Sequence, residues 1–142
     1  MRITKDVYEK IQSKYVMPPP EQGGIIGIKN GVVCEYYHDS FCGFTDKAIY
    51  EPAVDILNQK IEEWLENDIQ FAGIVHSHVL GQDALSSGDI NYIKVLFDNF
   101  PEWIDELYFP VIIPEAKQLI SFIAKKEKKD VIIHRDEIHI NL

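Results

Sequence analysis

An uninterrupted apolar run, Phe71 to Val75, limits the folds open to this chain more than any other feature. Short apolar runs without polar alternation are typical of strands in a sheet that is covered on both faces. Such a strand needs packing layers above and below it. The run therefore predicts a buried strand over residues 70–78, at the centre of a layered fold.

Apolar residues at helical spacing predict the elements that supply these layers. The first helix is predicted over residues 4–16 and is followed by Pro18–Pro20, which cannot continue it. Pro52 is predicted to open a second helix, because proline is favoured at the first helical position. A third helix is predicted over residues 86–100, ending at Pro101.

The remaining apolar segments predict further strands. Two runs flank Asn30-Gly31, which is a strong signal for a two-residue hairpin turn. Three more strands are predicted near the C-terminus, in LYFPVIIP, QLISFIAKK and VIIHRDEIHI. The order helix, hairpin, helix, strand, helix, strands indicates an α/β sandwich, with a mixed sheet and helices packed on it. A chain of 142 residues with 46% apolar content suits a single domain over residues 1–142.

Charge and composition exclude several classes of function. The net charge of -9 gives no electrostatic footprint for nucleic acid. The N-terminal residues lack the apolar core of a signal peptide, and no segment approaches the length of a membrane span. Cys34 and Cys42 are expected to be reduced thiols. Together these features predict a cytoplasmic protein that binds neither nucleic acid nor membrane.

The sequence HSHVLGQDALSSGD directly after the apolar run carries the candidate chemistry. Side chains alternate faces along a strand, so His76 and His78 point the same way and Ser77 points the opposite way. Asp89 is predicted in the first turn of the third helix. Two imidazoles and one carboxylate would leave one tetrahedral position open, which is typical of catalytic zinc.

The same residues have a purely structural interpretation. Ser86-x-x-Asp89 is also the pattern of a helix start, with Ser86 or Ser87 as the N-cap and Asp89 as a first-turn acid. The two interpretations are compatible with each other. His38, His134 and His139 have no partner at ligand spacing and are expected to be structural or surface residues.

Glu21 stands directly before the glycine-containing strand GGIIG. Glu21, His76-x-His78 and then Ser86-x-x-Asp89 together resemble the JAMM/MPN+ (Mov34/JAB) zinc metalloprotease family, in its compact prokaryotic form. The resemblance covers nearly the whole chain. It implies a single-domain MPN-like (cytidine-deaminase-like) three-layer sandwich. The family commonly has proline after the second histidine, where this chain has Val79, and the difference concerns the shape of the following loop.

The resemblance also implies a role for each residue of the motif. His76, His78 and Asp89 would bind one Zn²⁺ per chain. Glu21 would be the general base that accepts a proton from the attacking water. Ser86 would donate a hydrogen bond to the oxyanion that forms on the substrate.

The resemblance implies a hydrolase that cleaves peptide or isopeptide bonds after the C-terminal glycines of a ubiquitin-like protein, in deconjugation or precursor processing. Activating or conjugating enzymes encoded nearby would be its partners. Two alternatives stay open: a processing peptidase for a sulfur-carrier protein, and a non-catalytic MPN scaffold that binds partner proteins. A metal hydrolase acting on small peptides or other amides is a further possibility.

Overall fold

The computed structural model describes residues 1–15, 21–44 and 50–142. Within these residues, three α-helices cover the two faces of one mixed sheet, so the expected three-layer sandwich is confirmed. Pro18–Pro20, which were predicted to stop the first helix, lie outside the described residues.

The three predicted helices are present. Helix α1 spans Lys5–Lys14, α2 spans Val54–Glu66 and α3 spans Ser87–Asn99. The hydroxyl of Thr4 caps α1 by accepting a hydrogen bond from the Val7 amide at 3.3 Å. Pro52 was predicted at the start of α2, but the helix begins two residues later and Ala53 is its N-cap.

The strands in the described residues are β1 Arg2–Thr4, β2 Gly23–Lys29, β3 Val32–His38, β4 Gly43–Phe44, β5 Tyr50–Glu51, β6 Gln70–Ser77, β7 Glu106–Tyr108, β8 Val111–Ile113, β9 Gln118–Glu127, β10 Asp130–Asp136 and β11 His139–Asn141. Nine of them form the main sheet, in the order β10-β9-β7-β6-β2-β3-β1-β11, with β8 pairing with both β6 and β9. Strand β6 is parallel to β7 and β8 and antiparallel to β2. A separate two-stranded sheet pairs β4 with β5.

The central strand and the hairpin match the sequence prediction. Every residue from Phe71 to Ser77 is buried, as expected for a strand covered on both faces. Asn30 and Gly31 both have positive φ, 53° and 77°, which is the backbone of a type I′ turn joining β2 to β3. No helix in the described residues is long and apolar enough to cross a membrane.

Each face of the sheet has its own apolar core. Helices α2 and α3 bury Leu57, Trp64, Ile93 and Phe97 against one face. Helix α1 buries Val7 and Ile11 against the other face. Because β6 contributes Ile74 to the first core and Val75 to the second, it lies between both layers.

Candidate metal centre

The end of β6 brings two histidines to one face of the sheet. His76 follows Ile74 on the face covered by α2 and α3, and His78 lies just beyond the strand on the same side. The two side chains are almost fully buried, with 8% of His76 and 5% of His78 exposed. Their Nε2 atoms are 2.8 Å apart. Both nitrogens therefore face one point in space.

Asp89 completes this cluster from the first turn of α3. Its Oδ2 atom lies 3.3 Å from Nε2 of His76 and 3.3 Å from Nε2 of His78. Among the described residues, these three offer ligand atoms that all lie within 4.8 Å of one another. The structure thus places the three predicted metal ligands together.

The same aspartate also starts its helix. The Ser86 amide donates to Asp89 Oδ2 at 2.9 Å, and the Asp89 amide donates to Ser86 Oγ at 3.1 Å, which forms a capping box. The cap is Ser86 and not Ser87, which is the first helical residue. The helix-start interpretation of Asp89 is confirmed, and it is compatible with the ligand interpretation. The cap fixes the carboxylate in the orientation that faces the histidines.

The electrostatics of the cluster favour a charged carboxylate. Burial alone would raise the pKa of Asp89, but hydrogen bonds from His76 and His78 outweigh it and hold the pKa well below its usual range. Burial lowers the pKa of His78, and the hydrogen bonds to Asp89 and to the Gln82 carbonyl, with the nearby Glu21 charge, bring the net shift upward. The site therefore carries an anionic oxygen ready for a cation.

The Gln82 carbonyl orients one of the histidine rings. It lies 2.9 Å from Nδ1 of His78. A proton on Nδ1 donated to this carbonyl leaves the lone pair on Nε2, directed at the cluster. Gln82 lies in the loop between the two halves of the motif, and sequence spacing gave no indication of this contact.

The strand register explains why Glu21 lies near this cluster. Strands β2 and β6 pair Ile25 with Ile74 and Gly23 with His76. Continuing the same register places Glu21 opposite His78, and opposite residues of an antiparallel pair share a face. The Glu21 carboxylate accepts a hydrogen bond from the Tyr50 amide at 3.4 Å.

A cavity of about 240 Å³ opens beside the cluster. Its polar end is formed by Glu21, His76, Ser86 and Asp89. The rest of its lining is mostly apolar and comprises Tyr50, Pro52, Ile74, Leu85, Gly88, Tyr92, Ile93 and Phe109. The general base and the hydroxyl donor expected from the sequence thus line the same cavity as two of the ligands.

Sequence reasoning missed a buried polar group behind this cavity. Asp39 is 1% exposed and accepts hydrogen bonds from the Tyr50 hydroxyl at 2.8 Å and the Ala53 amide at 2.9 Å. A Cβ atom on Gly23 would meet the Tyr50 ring at 2.2 Å, so the ring lies directly on the glycine. Asp39 therefore holds a wall of the cavity in place. An isolated aspartate after a strand carries no signal of such a role in the sequence.

The donor set fits zinc. Two imidazole nitrogens and one carboxylate oxygen are ordinary zinc ligands, and three protein ligands leave a position open. One imidazole is oriented by a carbonyl and the carboxylate by a backbone amide, as is usual around metal ligands. The site lies at the polar end of a cavity, so a substrate can reach it.

The fold and the site together define a class: a three-layer α/β domain that carries a His-His-Asp ligand set at the end of its central strand. The structure is similar to the crystal structure of a JAB1/MPN domain protein from Archaeoglobus fulgidus, with a TM-score of 0.54. The alignment covers 99% of this chain and 98% of that chain, at 15% sequence identity. The chain therefore has the JAB1/MPN fold, which confirms the fold implied by the sequence resemblance.

The sequence matches no protein family model and no curated protein. At 15% identity, the structural similarity concerns the fold. The activity and the substrate are therefore argued from the site itself.

Proposed function

We propose that the chain is a zinc-dependent hydrolase of the JAMM/MPN+ type that cleaves peptide or isopeptide bonds. The observation that carries the proposal is the convergence of His76, His78 and Asp89 beside a cavity that Glu21 and Ser86 line together with His76 and Asp89. A scaffold domain has no need of a buried ligand triad with an acid and a hydroxyl beside it.

His76, His78 and Asp89 would hold the zinc ion. When bound, zinc supplies Lewis acidity that makes hydroxide available near neutral pH, where free water has almost none. The chain itself contributes a rigid, partly buried ligand set, because the ligands lie on a central strand and in the capped first turn of a helix. These side chains would therefore need little rearrangement to bind the zinc ion.

Two further side chains would act on the reacting groups. The Glu21 carboxylate accepts the proton of the attacking water and later passes it to the leaving amine. The Ser86 Oγ already accepts a hydrogen bond from the Asp89 amide, so its own proton is free to be donated to the substrate carbonyl oxygen. That hydrogen bond strengthens as negative charge develops on the oxygen.

The decisive experiment measures zinc content and hydrolysis rate on the same preparation of Glu21→Gln and compares both with those of Asp89→Asn. Glutamine keeps the shape of Glu21 but cannot accept the proton, so activity should fall by about two to four orders of magnitude. Zinc content and thermal stability should stay near wild type, because Glu21 is not a ligand. Asp89→Asn should instead lose zinc, as measured by elemental analysis of the purified protein.

Two results would contradict this assignment. Near-normal hydrolysis by the Glu21→Gln protein would remove the general base from the mechanism. Full zinc occupancy in a His76→Ala, His78→Ala double variant would show that the metal binds elsewhere.

The substrate proposed here is a ubiquitin-like protein with a C-terminal diglycine, cleaved after its last glycine from a conjugate or a precursor. The support is the motif resemblance together with the position of the site at a strand end, where an extended tail can form main-chain hydrogen bonds. The setting proposed is the cytoplasm, and Cys34 and Cys42 are free thiols in keeping with it. Activating or conjugating enzymes would act on the same modifier.

Mass spectrometry of the products tests the substrate. A ubiquitin-like protein fused to a short extension should be cut directly after its diglycine. Replacing both glycines with leucine should slow the reaction by about 100-fold or more, because the side chains would collide with the walls beside the ligands. An unchanged rate would rule out a glycine-selective channel and favour a general peptidase.

The alternatives predict other results in the same assay. A processing peptidase for a sulfur-carrier protein would cleave the precursor of the carrier and leave isopeptide conjugates intact. A non-catalytic MPN scaffold would cleave neither substrate, with or without zinc.

A further inference from the structure

Ser77 lies between the two candidate histidine ligands, and its side chain forms hydrogen bonds on the face of the sheet opposite to the metal cluster. Ser77 is 8% exposed, and its side chain points away from the metal cluster. Its hydroxyl meets Gln22, the residue that follows the proposed general base. Nothing in the proposed chemistry uses this serine, so its contacts need a separate explanation.

Three contacts join Ser77 to Gln22. The Ser77 amide donates to the Gln22 carbonyl at 2.8 Å, and the Gln22 amide donates to Ser77 Oγ at 2.8 Å. The Ser77 hydroxyl in turn lies 3.4 Å from the Gln22 carbonyl, to which it can donate. In a regular antiparallel ladder, the Gln22 amide would donate to the backbone carbonyl of Ser77. Here it donates to the Ser77 hydroxyl instead.

This pairing lies at the point where the regular strand ends. Strand β2 begins at Gly23, so Gln22 and Glu21 precede the regular ladder, although the Ser77 amide still donates to the Gln22 carbonyl. The Ser77 hydroxyl extends the pairing by one residue, and Glu21 follows immediately. Among the described residues, the Glu21 carboxylate accepts one hydrogen bond, the long one from the Tyr50 amide at 3.4 Å.

We propose that Ser77 is a positioning residue, which ties the Glu21 segment to the strand that carries the metal ligands. His76 and His78 lie on either side of Ser77, and Glu21 adjoins Gln22. The Ser77 hydroxyl, together with the backbone hydrogen bond beside it, therefore sets the spacing between the base and the ligands. The effect on catalysis rests on the proposed function, whereas the link itself does not.

Hydrogen exchange tests the link without any activity. In the metal-free protein, the Gln22 amide should exchange about tenfold faster or more in Ser77→Ala, because its acceptor is gone. Ser77→Thr keeps the hydroxyl and should keep the protection. Ser121→Ala is the matched control, since Ser121 is also buried at 1% exposure and its hydroxyl has no hydrogen-bond partner within the described part of the chain.

Kinetics tests the positioning. Ser77→Ala should lower kcat by about 10- to 100-fold with little change in KM, because a small displacement of the base slows the reaction. Zinc content and thermal stability should be close to wild type, and Ser77→Thr should restore most of the rate. Ser121→Ala should hydrolyse at the wild-type rate.

The outcomes separate the two proposals. Unchanged Gln22 exchange in Ser77→Ala, or a rate that falls only in proportion to lost zinc or lost folded protein, would overturn the positioning role. A wild-type protein that hydrolyses no substrate would overturn the proposed function, while the exchange rate of Gln22 would still decide whether the link exists.

Discussion

At the scale of single residues, His38 illustrates a histidine that serves the fold. Its Nδ1 lies 2.7 Å from the Tyr36 hydroxyl, which is also 2.7 Å from the Tyr15 hydroxyl. The three rings pack at the α1 face of the sheet, and the Tyr15 and His38 rings meet edge to face at 5.2 Å. The structural role expected for His38 from the sequence agrees with these contacts.

This environment predicts a pH effect on stability. Burial lowers the pKa of His38, the charge of Lys14 lowers it further, and Asp39 opposes both. An unfolded chain binds the proton near the ordinary histidine pKa of about 6.5, whereas the native protein does so only at lower pH. The contribution of neutral His38 to the free energy of unfolding is therefore complete above the pKa of the unfolded chain. It is lost as the pH falls through the lowered pKa of the native protein.

Urea denaturation of the metal-free protein between pH 7.5 and 5.5 measures this effect. The free energy of unfolding should fall with pH more steeply in wild type than in His38→Gln. His134→Gln is the control, because it makes the same substitution at an exposed position on β10. Equal slopes in wild type and His38→Gln would assign the pH dependence to other groups.

At the scale of elements, the start of α3 combines two tasks in one serine. Ser86 caps the helix that positions Asp89, and in the proposed mechanism it also donates to the substrate oxygen. A capping role affects stability, while a donor role affects the rate. Substitutions that differ in capping strength can therefore separate the two.

Ser86→Ala should cost about 1 kcal/mol of stability, whereas Ser86→Gly should cost only a few tenths, because glycine is tolerated at N-caps. Both variants remove the hydroxyl and should lower kcat by about 100- to 1000-fold. Ser87→Ala should change neither quantity. Thermal unfolding, zinc content and steady-state kinetics measure these effects. A wild-type rate in Ser86→Gly would show that Ser86 caps the helix but does not donate to the substrate.

At the scale of the whole molecule, the sheet separates a structural core from the core that carries the site. Ile11 of α1 is fully buried against Ile3, Val33 and Val75 on the face opposite the cavity. The cavity rests on Ile74, Ile93 and Phe109, which belong to the other core. Stability and chemistry should therefore be separable by the face on which a change is made.

Ile11→Ala should lower the free energy of unfolding by about 2–5 kcal/mol, because it leaves a cavity in a closed core. Ile11→Val is the matched control and should cost only about 0.5–1.5 kcal/mol. Zinc affinity and kcat, measured where both proteins are folded, should stay near wild type. A large loss of zinc affinity in Ile11→Ala would show that the two cores are coupled through β6.

The short edge strands show where sequence patterns stopped being informative. No strand was predicted at β1, Arg2–Thr4, and the first helix was predicted to begin at residue 4, yet β1 pairs in parallel with both β3 and β11. Three residues are too few to show a period, and their partners lie far away in sequence. The same is true of β11, which was read as one strand with β10.

The features that depend on local pattern could be predicted from the amino-acid sequence. The apolar run gave the buried central strand, Asn30-Gly31 gave the turn, and the HSH and SSGD segments gave the candidate ligands. Hydrophobic periodicity, turn conformation and helix capping depend on residues that are close in sequence. They can therefore be recognised in a single sequence before the fold is known.

Contacts between distant segments became visible only in the folded chain. The Ser77 link to Gln22, the Gln82 carbonyl on His78, and Asp39 behind Tyr50 all join segments that are separate in the pattern. Such contacts depend on strand register and loop path, which are set by the packing of the two cores and leave no period in the sequence.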